Sequence, residues 1–235
     1  MNVDEDGILV QVQADGSLEG GDSANWMGHW IYLTDGDFPF VDFFEKDWGG
    51  YCRHPMPSMT NNGFGAFYQN PWDGVISRDQ LTGIIAALIS QKKYLAMLRL
   101  FFHHAMRGFL FSYNTIHNGV EPKTAGWKFP DLTLFDIWAH ELRGFGKFSW
   151  ILYPLLLVLD LHMLMATLLH RKKYNSDPIS YALKLIVSHD HIPTLTSLLS
   201  WKLCDKHKLV DEVSNYWSGW RDQGFMVELY SAKLS

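Results

Sequence analysis

The sequence predicts a mainly α protein made of antiparallel helical hairpins, with a short β arm at its N-terminus. Three observations carry this. Apolar residues recur at helical spacing almost everywhere beyond Ser77, Gly, Pro and Asx breakers interrupt them at short intervals, and strict alternation is confined to ILVQVQ near the start. Helices joined by short turns pack as antiparallel neighbours, so the hairpin is the expected building unit.

Residues 1–20 hold ILVQVQ between DEDG and DGSLEGG and read as an extended arm of one or two edge strands. SANWMGHWIYL, following Asp22, has helical spacing and stops at the turn signal TDGDFP, which predicts a first helix. Residues 48–74 are dense in Gly, Pro, Asn and aromatic rings, and a loop of that length inside a compact domain is more often functional than accidental. Helices are then predicted near 77–90, 92–117 with a break at Gly108, 131–142, 148–170, 176–188, 191–203 and 208–218. NGVEPKTAGWKFPD, RGFGK, YNSDP and HDHIP supply the breakers between them. Nothing in the 235 residues forces a division, so 1–235 reads as a single helical domain.

The stretch FSWILYPLLLVLDLHMLMATLL, residues 148–169, is long enough to span a bilayer. Asp160 at its centre is a cost that the many Leu could offset, and basic residues at both ends give no orientation bias. A helix buried on all sides is the preferred reading, with Asp160 and His162 its notable residues, because a buried carboxylate needs a partner or an exit to a cavity. A membrane is therefore not expected as a partner. The net charge of -5 and pI near 6.1 exclude a nucleic-acid backbone as the main partner, because such binding draws on clustered Lys and Arg and the only basic run is Arg171, Lys172, Lys173. Cys52 and Cys204 fit no metal or redox spacing, and the acidic N-terminus shows no signal peptide. With no glycine-rich phosphate loop and no GxSxG elbow, no cofactor is expected.

Chemistry concentrates at helix starts. In NPWDGVISRDQLTG, Ser77 and Gln80 have the spacing of a capping box, Asp79 falls in the first turn where the helix dipole favours an ionised carboxylate, and Arg78 is left to hold a ligand. An ordinary well-capped helix with a surface Arg is the plain alternative. GGDSANW places Asp22 similarly, PDLTLFDIWAH places Asp131 and SHDHIP places Asp190. In a ring of hairpins the starts of alternate helices gather at one end, and their carboxylates would share one mouth. Asp136 and His140, four apart, form another acid–base candidate, with a solvated helix pair as the alternative. His189-Asp190-His191 lacks a third well-spaced ligand, so no metal is expected.

GDSANW, Arg53-His54-Pro55, the aromatic glycine loop and SRDQLTG followed by helix pairs together resemble tailed-bacteriophage proteins that carry an SRDQ motif. More distantly, the order of elements resembles the (α/α)-toroid, or six-hairpin, group of carbohydrate-active enzymes. The resemblance implies an incomplete (α/α)-toroid-like arrangement, since 235 residues hold roughly eight or nine helices at common lengths. It implies a sugar cleft with Asp79, Asp22, Arg78 and His54 as catalytic candidates. Arg53, Trp26, Tyr68, Trp72 and Asp131 follow as substrate-binding candidates, the rings being stacking platforms. The expected function is a glycoside hydrolase-like or polysaccharide lyase-like pocket for a glycan or oligosaccharide. The alternative is a non-catalytic virion structural or accessory protein contacting phage structural proteins or copies of itself. Either implies the bacterial host cytoplasm or the phage virion.

Overall fold

The computed structural model describes residues 2–56, 59, 78–110, 138–139, 141–169, 178–218 and 224–235. They are mainly helical, with two small antiparallel sheets. The chain divides into two compact units, Met1–Pro130 and Asp131–Ser235, each described here by itself.

In the first unit the arm is more ordered than a pair of edge strands. Strands β1 (Asn2–Val3), β2 (Leu9–Val12) and β3 (Leu18–Glu19) form an antiparallel sheet in the order 1-2-3. The Asp4 carboxylate closes the first turn by accepting the Asp6 and Ile8 N–H groups at 3.0 and 2.8 Å. Gly7, at φ +77°, takes the left-handed conformation that this tight turn demands. Ile8 and Val10 are buried and turn the sheet's inner face toward the first helix.

Helix α1 (Ser23–Thr34) forms where the sequence predicts it and ends at Asp35 in the left-handed conformation, φ 51°. Nearly its whole first half is buried, because it packs along α3 (Arg78–Ser90). The contact is backbone on backbone. A Cβ on Gly28 would overlap the carbonyl of Gly83, and a Cβ on Gly83 would stand 2.6 Å from both Cα and the carbonyl oxygen of Asn25. Trp26, Met27 and Ile31 fill the space on one side, with Leu81, Ile84, Ile85 and Leu88 on the other helix.

Short helix α2 (Phe40–Phe44), with Phe40 stacked on Phe44 at 4.6 Å, leads into the hairpin β4 (Glu45–Asp47) and β5 (Gly50–Tyr51), none of which the sequence reading anticipates. Glu45 fastens this hairpin to α4 (Tyr94–Leu110). Arg99 Nε donates to Glu45 Oε1 at 2.6 Å, Arg99 Nη2 pairs with Oε2, and Gly49 N donates to Oε1 at 2.9 Å. Burial, with Glu45 beside it, pushes the Tyr51 hydroxyl up. The predicted break at Gly108 is absent: α4 is helical through Leu110. An isolated Gly lowers helix propensity by only about 1 kcal/mol, which packing overrides.

In the second unit residues 138–139 and 141–143 are helical and Gly146–Trp150 is a 3-10 turn. Then come α5 (Tyr153–Leu168), α6 (Pro178–Asp190), α7 (Leu195–Leu203), α8 (Lys206–Ser218) and α9 (Gly224–Leu234). Helix α5 packs on α7, α6 on α7 and α8, and α9 on α8 and α6. Leu156, Met163, Ile186, Leu209, Met226 and Tyr230 are core positions.

Two expectations are corrected here. Asp190 ends α6 and does not start a helix. The start of α7 belongs to Thr194, whose hydroxyl accepts Ser197 N–H at 3.2 Å while Ser197 Oγ accepts Thr194 N–H at 2.9 Å. The helix in residues 148–169 is not buried on all sides. Pro154, in the first turn, starts it at Tyr153, and one face is exposed, including Val158 at 67% and Leu168 at 55%. Among the described residues no helix is long and apolar enough to cross a membrane.

Gly83→Ala is expected to lower stability by about 3 kcal/mol or more, since the added methyl has only backbone to displace. Urea denaturation followed by circular dichroism checks this. His29 on α1 is fully buried, and burial pushes its imidazole down to about 3. Folded His29 therefore stays neutral while the unfolded chain takes up a proton below about pH 6.5. Stability should fall between pH 6.5 and 3 by at most about 1.4 kcal/mol per pH unit from this residue. The urea midpoint of a His29→Leu variant should drop less between pH 7 and 5 than that of the wild type. The remaining slope comes partly from His54 and His191, which burial also depresses.

Candidate functional site

The half-exposed polar groups of the first unit meet where β3 runs into α1 and α3 begins. Asp22 stands at the head of α1 but its side chain caps nothing. Its carboxylate turns sideways, with Arg53 Nη1 3.9 Å from Oδ1 and Gln80 Nε2 donating to the same oxygen at 3.1 Å. Gln80 Nε2 also donates to the Gly21 carbonyl at 2.6 Å, and Arg53 Nη1 to that carbonyl at 3.1 Å. One backbone oxygen and one carboxylate thus gather an amide and a guanidinium from two distant parts of the chain. The Asp22 and Arg53 side chains keep 28% and 19% exposure, so both still present polar atoms to solvent.

Of the expected capping-box pair, Ser77 lies outside the described residues, and Gln80 turns elsewhere. Its Nε2 crosses to α1 and its Oε1, fully buried, accepts no hydrogen bond, so the amide does not return to its own helix start. Burial decides this, because the Gly21 carbonyl and the Asp22 carboxylate sit within reach of a side chain that no water reaches.

Glu19 belongs to the same cluster, and the sequence reading passed over it. Gly21 N donates to Glu19 Oε1 at 2.7 Å, folding the carboxylate back over the glycine pair. Burial, reinforced by the charge of Asp22, raises its pKa above the ordinary Glu value, against the opposing pull of the Gly21 N–H and Arg53. A Glu immediately before the Gly-Gly pair that leads into α1 was the available signal.

His54 lies beneath this surface. Its ring is fully buried against Gly20, where a Cβ would come within 2.5 Å of Cδ2. Nδ1 accepts the Met56 N–H at 3.0 Å, which assigns the proton to Nε2. Nε2 faces Asp4 Oδ2 at 3.1 Å, a charge contact outside hydrogen-bond alignment. Burial lowers the His54 pKa, with Asp4 opposing. The residue ties the β arm to the loop, and it touches no solvent from which a substrate would come.

The structure thus brings Asp22, Arg53 and the first turn of α3 together. Arg78 and Asp79 lie in that turn, their side chains outside the described residues. Trp26 is 2% exposed, and its ring is core packing with no free face for stacking. Tyr68, Trp72 and Asp131 lie outside the described residues, as do Asp136, His140 and most of the 48–74 loop.

In the second unit Asp160 is buried as expected, but its partner is Arg143, whose Nη2 meets Oδ2, together with the Thr194 hydroxyl on the same oxygen. Arg143 Nε also donates to the Ile192 carbonyl at 3.3 Å. This pair is buried and joins helical residues 141–143 to α5 and, through Thr194, to the cap of α7. His189 stacks on Trp201 at 4.5 Å, and Asp190 contacts His189 and Lys233. Among the described residues no group of three His, Cys, Asp or Glu side chains is placed to hold a metal ion. Burial pushes the Cys52 thiol up to about 12, which leaves it a poor nucleophile.

Comparison with known protein families, with curated proteins and with solved structures returns no match to this chain.

Replacing Gln80 by Leu leaves the Gly21 carbonyl and Asp22 without their amide donor. The variant is expected to lose about 1–3 kcal/mol in chemical denaturation, the cost of orphaned buried polar groups, while keeping its helical circular dichroism.

Proposed function

We propose that the first unit binds a carbohydrate or a comparably hydroxyl-rich ligand at the cluster of Glu19, Asp22, Arg53 and Gln80. The observation that carries this reading is the Gln80 amide, which bonds both the Gly21 carbonyl and the Asp22 carboxylate and so holds two helix starts side by side. A part-exposed carboxylate accepts hydroxyl protons and a part-exposed guanidinium donates to hydroxyl oxygens. Fixed in one frame, they select the spacing of vicinal hydroxyls.

Processing of the bound sugar is the finer part of the proposal. Glu19, held protonated to higher pH than an ordinary Glu, suits proton donation to a leaving oxygen. Asp22, faced by Arg53 and the Gln80 amide, suits the anionic role beside it. Two carboxyl groups with differing surroundings are what acid–base work on a glycosidic bond uses. Arg78 and Asp79, two and one positions before Gln80 on the same turn, complete the proposed set. The expected (α/α)-toroid-like arrangement and the likeness to phage proteins belong to this proposal as well, and the α3–α4 hairpin is consistent with them.

A glycan array followed by titration calorimetry tests binding. Asp22→Asn and Arg53→Met are each expected to weaken the best ligand by about tenfold or more, the worth of a charge-assisted hydrogen bond. Glu19→Gln should retain binding and abolish release of reducing or unsaturated sugar ends. If no glycan binds, or if both binding variants match the wild type, the proposal is wrong.

A further inference from the structure

Helix α5 turns its one charge inward and a row of apolar side chains outward. Asp160, the only charged residue of α5, is buried against Arg143. On the opposite side Leu155, Val158, Leu161 and Leu168 are exposed at intervals of three or seven, which is one helix face, and Ile151 in the turn before the helix is exposed as well. Helix α7, packed alongside, adds exposed Leu195, Leu198 and Leu203. Monomeric soluble proteins rarely leave a contiguous apolar face of this size without a use for it.

We propose that this face docks on an anionic lipid surface. Charge decides the chemistry of the partner: on residues 146–169 and 195–203 the exposed charged side chains are Lys147 and Lys202, both cations. Cations beside an apolar face complement anionic headgroups while the apolar side chains enter the acyl boundary. Trp150, 66% exposed and stacked on Tyr153 at 5.8 Å, stands next to Lys147, where an amphipathic ring meets the headgroup level. A second protein copy is the poorer match. Protein interfaces carry about one hydrogen bond per 100–200 Å², and this face offers few groups that make one. Lipid tails require none. Helix α5, with 16 residues, is about 24 Å long, short of the roughly 30 Å hydrocarbon core, so it lies in the surface plane.

Co-sedimentation of the full chain with vesicles of phosphatidylcholine alone, or mixed with phosphatidylserine, tests this. The wild type is expected to bind the mixed vesicles more tightly than the neutral ones. The double variant Ile151→Ser, Val158→Ser changes only exposed positions, so its circular dichroism should be unaltered while its partition falls about tenfold or more. Lys147→Gln with Lys202→Gln should reduce the preference for phosphatidylserine by about fivefold per lysine. No vesicle binding, equal binding to both compositions, or a double serine variant that binds like the wild type each overturns the proposal. So does sedimentation equilibrium showing a wild-type dimer that the serine variant dissociates in the absence of vesicle binding, which assigns the face to a second copy.

Discussion

The backbones of α1 and α3 touch at Gly28 and Gly83, and the rest of the first unit is arranged around that crossing. No side chain fits between them at that crossing, since even a Cβ on either glycine would overlap the other helix's backbone. Close approach buries α1 on almost every side and leaves it little of the polar face that a surface helix keeps. It also fixes the relative position of the helix starts within the reach of one glutamine side chain. Asp22 and Gln80 meet because Gly28 and Gly83 let them.

The polar cluster inherits its character from that frame. Gln80 spends its donor on the Gly21 carbonyl and the Asp22 carboxylate, Arg53 shares both, and Glu19 folds back over Gly21. Asp22, Arg53 and Gln80 are held by partners on another segment, so none can swing away without giving up a bond across the cluster. That rigidity suits recognition of a ligand whose hydroxyls have fixed spacing. Below it, Gly20 leaves room for the buried His54 ring, which with Asp4 pins the β arm under the loop. His54 and Asp4 set the floor of the cluster and take no part in its exposed surface.

The second unit solves a different problem. A helix as apolar as α5 carries a carboxylate at its middle, and a lone buried charge would cost several kcal/mol. Arg143 and the Thr194 hydroxyl both meet its Oδ2, which ties helical residues 141–143 and the cap of α7 to the middle of α5. Once the only charge faces inward, the outward face has nothing polar left, and an apolar surface bounded by lysines follows.

The sequence by itself determined the class of structure and most helix positions, because helical periodicity and Gly, Pro and Asx breakers are local signals. Helices α1, α3 and α6 begin and end close to where those signals place them. Only the tertiary structure decided the partners. Gln80 left its expected capping box for a carbonyl 59 residues away, Trp26 went to the core and not to a stacking face, and Asp160 took Arg143 in preference to His162. Hydrogen bonds and burial depend on which segments are neighbours in space, and periodicity along one helix carries no record of what the next one brings to it.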